Sequence, residues 1–344
     1  MASTTRRSKK SILFIYTGGT IGMQEDPKTG ALKPVDITTL SDQLQDLRKL
    51  NFRYGLHSFP VPIDSSNVNP DFFDVLARVI EKNYNSYDAF IVLHGTDTMA
   101  YTASALSFML DGLSKPVIFT GSQLPLGAIR TDAKGNIVTA VAIAGSDTVV
   151  PEVCIYFNNQ LFRGNRCEKF TSSRFDAFHS LSFPPLAEAG VEIVFNKDDI
   201  RKPSRKSFKV NHGFDTNVAL IKIYPGIHTD VIDTTLRTPG LKAAVLETYG
   251  SGNAPTHPEF LRVLKAAADR GVILLNISQC SGGSVKQGRY QTSYHLQKIG
   301  VVSGHDMTTE AAITKLMYLL AHEKSPVILK KKLQENLCGE LTGN

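Results

Sequence analysis

The sequence contains no tryptophan, and its cysteines are few and far apart. The four are Cys154, Cys167, Cys280 and Cys338, with no CxxC pair and no histidine at a metal-ligand spacing. This usage is typical of free thiols in a reducing compartment and argues against a disulfide framework or a zinc site. No apolar run approaches the ~20 residues that span a bilayer, so the sequence predicts no membrane insertion.

The sequence also lacks an even distribution of positive charge. Its net charge is +6, and the basic residues are concentrated in two segments. Residues 1–10 carry four basic side chains, and the segment RKPSRKSFK at 201–209 carries five. Without these two segments the rest of the chain is net negative, and no basic face with interleaved aromatic residues is visible. The sequence therefore predicts no nucleic-acid partner.

The start of the chain, MASTTRRSKKSILFIY, places basic residues before an apolar run, as a secretory signal does. The apolar run Ile12–Tyr16 is shorter than the roughly 7–15 residues of a signal core, and no small-residue cleavage site follows it. We interpret 1–10 as a disordered basic tail and Ile12–Tyr16 as a buried strand. A cytoplasmic protein is the expectation.

Short apolar runs alternate with helix-like segments along the chain, which predicts α/β architecture with parallel sheets covered on both faces. The predicted strands are Ile12–Tyr16, Ala89–Leu93, Val117–Thr120, Val153–Phe157, Val191–Phe195, Val218–Ile223, Ala243–Thr248 and Val272–Ile277. The predicted helices are Phe72–Asn83, Met99–Asp111, Pro258–Asp269 and Met307–Ala321. A polar, basic stretch at 196–217 interrupts the alternation. We predict an N-terminal domain at 11–195, a linker at 196–217 and a C-terminal domain at 218–344.

The first strand ends in TGGTIG, a glycine-rich turn that suits either a phosphate cradle or an exposed hydroxyl nucleophile. The turn matches neither GxxxxGK[ST] nor GxGxxG, which weakens the phosphate interpretation. A threonine nucleophile needs a base or a charged relay close by. The end of the strand Ala89–Leu93 supplies HGTDTM, with Thr96 and Asp97, and IDSSNV and GSQLP add further polar groups. Because ligands lie beyond the carboxyl ends of parallel strands, these segments predict one site with Thr20 as nucleophile.

These motifs resemble those of the type I bacterial L-asparaginases. The similarity runs in unbroken order from about Lys10 to the C-terminus. It is carried by TGGTIGM, DSS, HGTDTMAYTASALSFM, GSQLP, RGNR followed by a lysine, YGSGNAP, and GxDMTxEAxxxKL from Gly304 to Leu316. The resemblance implies hydrolysis of L-asparagine to L-aspartate and ammonia without a cofactor or metal. It also implies a larger flavodoxin-like N-terminal domain, a smaller C-terminal α/β domain, and a homotetramer built as a dimer of dimers.

The resemblance assigns roles to individual residues. It makes Thr20 the nucleophile that forms the acyl-enzyme, Lys169 a proton acceptor and Thr96 the relay between them. Asp97 orients Lys169 and receives the α-ammonium group of the substrate. Asp64 and Ser65 match residues that bind the α-amino and α-carboxylate groups. Asn253, in YGSGNAP, matches a residue that reaches the site of a neighbouring subunit. His94 has no part in this scheme and is interpreted as a packed residue at a strand end.

Two positions depart from the family pattern. Many members carry a tyrosine in the loop after the nucleophile, and none is present between Ile21 and Pro34. Tyr290, in GRYQTS, is the candidate to supply that hydroxyl. Allosterically controlled relatives use an arginine just before YGxGNAP and a cysteine in a QC pair; this chain keeps Cys280 but has Glu247 in place of the arginine. Because an acid does not pair with an effector carboxylate, we expect no activation by asparagine there.

Three alternatives remain open from the sequence. One is a dual asparaginase/glutaminase, and a related one is an amidase subunit that deamidates glutamine for tRNA charging, although such subunits usually carry an additional N-terminal domain. From another class, a catalytically silent amino-acid-binding regulator could use the same fold. It would keep Asp64, Ser65 and Asp97 but lose the relay, so the joint presence of Thr20, Thr96 and Lys169 argues against it.

Overall fold

The protein is described here by a computed structural model that covers residues 9–25, 29, 32–34, 47, 50, 52–288 and 291–343. The predicted disordered tail falls mostly on residues 1–8, which lie outside this description. The strands are β1 (Ser11–Gly18), β2 (Met23–Glu25), β3 (Leu32–Pro34), β4 (Arg53–Ile63), β5 (Ala89–Leu93), β6 (Leu110–Asp111), β7 (Val117–Thr120), β8 (Val153–Phe157), β9 (Gln160–Arg163), β10 (Glu168–Lys169), β11 (Phe178–His179), β12 (Ala187–Ala189), β13 (Ile193–Phe195), β14 (Lys209–Val210), β15 (Val218–Lys222), β16 (Ala243–Thr248), β17 (Ile273–Ser278) and β18 (Val302–Ser303). The helices are α1 (Pro70–Asn83), α2 (Met99–Met109), α3 (Ala133–Ala144), α4 (Thr229–Leu236), α5 (Pro258–Asp269), α6 (Gln291–Ile299), α7 (Thr309–His322) and α8 (Pro326–Gln334).

The larger sheet has eight strands in the order β13-β12-β9-β8-β7-β5-β1-β4. The five strands from β8 to β4 run parallel, and their order is that of a flavodoxin-like sheet. Buried side chains of α1 and α2 pack on one face, and those of α3 pack on the other. The prediction of a parallel sheet covered on both faces is therefore confirmed.

The second sheet contains four parallel strands in the order β15-β16-β17-β18. Helices α4, α5 and α6 contribute buried side chains to the core on one face, and α7 and α8 contribute to the core on the other. Strand β16 and helix α5 have the predicted bounds. The predicted helix Met307–Ala321 begins later, at Thr309, because the side chain of Thr308 caps it by accepting a hydrogen bond from the Ala311 amide at 3.2 Å.

The first half of the chain differs from the sequence prediction at three places. Strand β4 was not predicted, because it is an edge strand of mixed exposure containing two prolines instead of an apolar run. The predicted strand Val191–Phe195 is reduced to β13, which pairs antiparallel with β12 and exposes 61% of Val194. The predicted helix Met99–Asp111 ends at Met109, because Leu110 and Asp111 leave it to form β6.

Strand β6 pairs antiparallel with β14, which lies inside the predicted linker 196–217. The linker is therefore attached to the first sheet's domain by backbone hydrogen bonds. The domain boundaries 11–195, 196–217 and 218–344 stay predictions. A buried ion pair joins the two halves: Arg166 Nη1 lies 3.0 Å from Asp306 Oδ2.

The four cysteines are free thiols, of which only Cys280 is exposed. Within the described residues, no cluster of three or more histidine, cysteine, aspartate or glutamate side chains is arranged to hold a metal ion. No helix in this part of the chain is long and apolar enough to cross a membrane.

Candidate active site

The turn that carries Thr20 follows β1 and depends on two glycines. Gly18 and Gly19 have φ values of 129° and 85°, which L side chains rarely adopt. A Cβ atom on Gly19 would stand 2.5 Å from the Cα atom of Gly95, so the turns after β1 and β5 meet backbone to backbone. Thr20 then opens a short 3₁₀ turn, Thr20–Gly22, and is only partly buried. The geometry brings a threonine to the carboxyl edge of the sheet.

Tyr16 stabilises this turn from inside β1. Its hydroxyl donates a hydrogen bond to the Gly22 carbonyl at 3.1 Å, and burial raises the pKa of Tyr16 to about 12. The hydroxyl therefore stays protonated at neutral pH and can donate this hydrogen bond. Sequence reasoning missed this residue because a tyrosine within an apolar strand is indistinguishable from ordinary core.

The turn after β4 joins the same edge. A Cβ atom on Gly95 would lie 2.5 Å from the Ser65 Oγ atom, and Thr98 Oγ1 donates to the Ser65 carbonyl at 2.7 Å. Ser65 is buried, whereas Asp64 is exposed. The carboxylate of Asp64 accepts from the Ser66 amide at 3.0 Å and from its hydroxyl at 2.9 Å. Asp64 thus caps its own turn and still presents a charged group to solvent.

Lys169 completes the cluster from a different part of the chain. It lies in β10, which pairs antiparallel with β11, and its side chain is 16% exposed. The Nζ atom donates at 2.7 Å to Thr96 Oγ1 and at 2.7 Å to Asp97 Oδ1. Asp97 is 62% exposed, so this ion pair faces the open side of the edge. The three residues that the sequence grouped as a second catalytic set are in direct contact.

The loop after β7 contributes Gln123, which belongs to the GSQLP segment that the sequence placed at this edge without a role for its side chain. Its Oε1 atom accepts from Thr96 Oγ1 at 3.4 Å. The carboxylate of Asp132 holds the loop by accepting from the amides of Gln123 and Leu124, the closest contact being 3.0 Å. Asp132 directly precedes α3. From the sequence alone, an aspartate at this position would be interpreted as the N-cap of the helix. Its side chain makes no capping bond there and binds the loop instead.

His94 is a packed residue at the end of β5, as predicted. It is fully buried between the rings of Phe72 and Phe119. Its ring nitrogens contact the Gly95 carbonyl at 2.7 Å and Thr102 Oγ1 at 3.1 Å. Burial lowers the pKa of His94 to about 4, so the ring is neutral at physiological pH.

Two further candidates are Asn253 and Tyr290. Asn253 lies in the turn after β16 and forms a backbone bridge with Tyr249. Tyr290 lies outside the described residues.

Glu247 lies at the end of β16. It accepts a hydrogen bond from Thr309 Oγ1 at 2.6 Å, and Lys222 Nζ lies 3.4 Å from its other oxygen. These residues line a cavity of about 180 Å³ together with Cys280. A carboxylate already paired with a lysine thus occupies the position where regulated relatives have an arginine.

The chain matches two family models over most of its length. Residues 11–201 match the model described as asparaginase, N-terminal, and residues 217–333 match the model described as glutaminase/asparaginase C-terminal domain. The chain therefore belongs to the asparaginase family.

Individual relatives agree with this placement. L-asparaginase 1 of Escherichia coli strain K12 is 42% identical over 339 residues, covering 97% of this chain and 98% of that protein. The 60 kDa lysophospholipase of Mus musculus is 40% identical over 360 residues, covering 97% of this chain and 63% of that protein. The crystal structure of L-asparaginase I from Vibrio cholerae O1 biovar eltor str. N16961 has a TM-score of 0.90 at 41% identity and covers 97% of this chain and 100% of that one. The fold class implied by the sequence resemblance is confirmed.

Proposed function

We propose that the protein hydrolyses L-asparagine to L-aspartate and ammonia by double displacement, with Thr20 as the nucleophile. The observation that carries this proposal is the contact of Lys169 Nζ with both Thr96 Oγ1 and Asp97 Oδ1, at 2.7 Å each, beside the turn that presents Thr20. A threonine hydroxyl attacks an amide only when another group takes its proton. A lysine in contact with a second threonine and an acid is such a group.

In the first half-reaction the Thr20 hydroxyl oxygen attacks the side-chain amide carbon of asparagine. Its proton passes through Thr96 to Lys169 in the neutral amine form, and Lys169 passes that proton on to the leaving nitrogen as the C–N bond breaks and ammonia departs. In the second half-reaction water attacks the resulting ester and gives a proton to the same relay, which returns it to the Thr20 oxygen as the ester C–O bond breaks and aspartate is released. Backbone amides near Thr20 and the Thr96 hydroxyl stabilise the oxyanion in both steps.

Substrate recognition rests on charge. The exposed carboxylate of Asp97 receives the α-ammonium group while it orients Lys169. Asp64 and Ser65 complete the binding of the α-amino and α-carboxylate groups. Asn253 would reach the site from a neighbouring subunit, and Tyr290 would hydrogen-bond the nucleophile. No cofactor or metal is required, because every proton transfer is assigned to a side chain.

The same proposal includes a homotetramer assembled as a dimer of dimers, since Asn253 serves a site other than its own. A cytoplasmic location is favoured by four free thiols. We assign no nucleic-acid partner, because the basic residues are concentrated in short segments.

The nearest alternative activity is hydrolysis of glutamine as well as asparagine. The alternative from another class of protein is an amino-acid sensor without catalytic activity. The reaction named for the mouse relative, release of fatty acid from a lysophospholipid, calls for an apolar site. The contacts around Lys169 are polar and charged, which favours a small charged amide.

The test is ammonia release by the purified protein with L-asparagine and, separately, L-glutamine, with fatty-acid release from a lysophosphatidylcholine as a third assay. Rapid ammonia release from asparagine with little from glutamine and no fatty acid supports the proposal. Comparable rates with both amides establish the dual enzyme. Asparagine binding by calorimetry without turnover of any substrate establishes the sensor.

A further inference from the structure

A second cavity lies where the linker meets both halves of the molecule. It has a volume of about 410 Å³. The first half contributes Asp111 in β6, the linker contributes Lys202 and Lys206, and the C-terminal half contributes Tyr318 on α7 and Lys332 on α8. We call it the linker cavity. Its volume falls within the range of about 300–1,000 Å³ that is usual for small-molecule sites.

The charge of the linker cavity is strongly unbalanced. Among the described residues that line it, Arg201, Lys202, Lys206 and Lys332 are cationic and Asp111 is the only carboxylate. Lys206 approaches that carboxylate at 3.5 Å, and Lys209, which lies just outside the lining, approaches its other oxygen at 3.8 Å. One acid is thus shared between two lysines. Lys332 is paired with Glu323, which lies outside the lining, so the excess of positive charge rests mainly on Arg201 and Lys202.

Arg201 is held in place by groups that leave its charge free to act. Its backbone amide donates to Glu152 Oε1 at 2.7 Å, and its Nη1 atom donates to the Cys338 carbonyl at 3.2 Å. A carbonyl acceptor carries no net charge. A fixed guanidinium whose partner is neutral is suited to binding an anion, above all a phosphate, because its planar set of donors matches the phosphate oxygens.

The remaining lining combines hydroxyl and aromatic groups. Ser107 and Ser204 supply hydroxyls, and the rings of Phe108 and Tyr318 stack with centroids 5.9 Å apart. Asn211 Nδ2 donates to the Tyr318 hydroxyl at 3.2 Å and orients that ring. The lining of the cavity therefore includes hydroxyl groups and apolar surface in addition to the cations.

We propose that the linker cavity binds a small molecule bearing several phosphate groups, whose oxygens are held by Arg201, Lys202 and Lys206. The chemistry shared by such ligands is a compact multivalent anion. Such a ligand explains why basic residues concentrate in the linker. The linker is attached to the first domain by the pairing of β14 with β6, and a segment that only connected two domains would not need this charge. Two sources have this chemistry, a nucleotide and an inorganic polyphosphate.

The linker cavity is separate from the threonine cluster. It is lined by residues 107, 108 and 110–113, at the C-terminal end of α2 and beyond, and by Pro151, which precedes β8. Thr20, Thr96 and Gln123 instead follow the carboxyl ends of their strands. Binding in the linker cavity can therefore be measured whether or not the protein hydrolyses asparagine.

The experiment is titration calorimetry on the full chain in magnesium-free buffer with ATP, inorganic triphosphate and adenosine. The matched variants are Lys202→Glu/Lys206→Glu in the cavity and Lys197→Glu/Lys265→Glu on exposed surface outside it, which change the net charge equally. We expect ATP to bind the unaltered and surface-substituted proteins, to bind the cavity variant at least about tenfold more weakly, and to lose affinity as salt rises.

The three probes separate the possible sources. Binding of ATP and triphosphate but not adenosine supports recognition of the phosphates alone, and binding of ATP only supports a nucleotide ligand. Absence of binding by both anions overturns the proposal. Adenosine bound as tightly as ATP, or equal ATP affinity in the two double variants, also overturns it. Circular dichroism and the thermal unfolding midpoint of each variant establish that it is folded before titration.

Discussion

Lys169 Nζ lies 2.7 Å from Thr96 Oγ1, although the two residues are 73 positions apart in the chain. The contact joins the loop after β5, a central parallel strand of the larger sheet, to β10, a two-residue strand that pairs antiparallel with β11. In the proposed mechanism Lys169 is the base that a threonine nucleophile needs, and the second contact of Nζ, with Asp97, fixes the direction of the side chain.

Replacement of Lys169 by methionine keeps the length of the side chain and removes its proton-accepting nitrogen. We expect kcat for ammonia release from asparagine to fall by about 10²–10⁴, the usual contribution of a positioned general base. The control is Lys265→Met, which removes a lysine that also pairs with an aspartate, Asp269, but on the exposed surface of α5. A loss of only about threefold at Lys169 would exclude it from proton transfer.

The Tyr16 hydroxyl provides a test of how the nucleophile turn is held. Tyr16→Phe leaves the Gly22 carbonyl without this donor, so we expect a loss of about 1–3 kcal/mol in unfolding free energy and a lower kcat with KM nearly unchanged. Tyr54→Phe is the matched control, because the Tyr54 hydroxyl also donates to a backbone carbonyl, that of Leu47, at 3.0 Å. Equal effects of the two substitutions on kcat would show that Tyr16 does not act on the turn.

Glu310 makes stability depend on pH. Burial, with the charges of Glu168 and Glu247, raises the pKa of Glu310 to about 7, and its Oε2 atom is buried without a hydrogen-bond partner. The folded protein therefore retains this proton from the unfolded value of 4.5 up to about 7, where the unfolded chain has released it. Stability should fall over that interval and level off above it.

Glu310→Gln removes this titration. We expect the variant to be more stable than the unaltered protein at pH 8, by up to about 3 kcal/mol, and to lose the slope between pH 5 and 7 in urea unfolding. The control is Glu259→Gln, an exposed glutamate in the first turn of α5. An unchanged slope in Glu310→Gln would contradict the assignment.

Glu247 predicts the shape of the saturation curve. Its pairing with Lys222 and Thr309 places a carboxylate where an effector carboxylate would have to bind, so asparagine should give a hyperbolic curve with a Hill coefficient of about 1. Initial rates over a wide range of asparagine concentration provide the test. A sigmoidal curve that persists in Glu247→Gln would mean that an effector site exists in another form.

The central strands and the loops after them were predictable, because buried parallel strands are apolar on both faces and end in recognisable glycine and hydroxyl motifs. Thr20, Thr96 and Asp97 could be grouped for that reason. Edge strand β4 was missed because an exposed strand needs no apolar run, and the helix ending at Met109 was overextended because a tertiary pairing with β14 competes with helix propensity.

Lys169 could be assigned only through the family resemblance, since nothing in the local sequence distinguishes it from a surface lysine. The side-chain contact of Gln123 and the role of Asp132 were missed for a different reason, although the segment GSQLP, which contains Gln123, was placed at the site. Their roles arise from hydrogen bonds between residues that are separated in the sequence. An aspartate that directly precedes a helix predicts only a helix cap. Contacts that depend on how distant segments meet cannot be inferred from one sequence.

The central claim is that Thr20 performs the chemistry, and its most direct test is ammonia release from asparagine by Thr20→Val and Thr20→Ser beside the unaltered protein. Valine keeps the shape of threonine without its hydroxyl, whereas serine keeps the hydroxyl. We predict that Thr20→Val binds asparagine in calorimetry but releases ammonia at least about 10³-fold more slowly, while Thr20→Ser keeps measurable turnover. Turnover by Thr20→Val close to that of the unaltered protein would contradict the account.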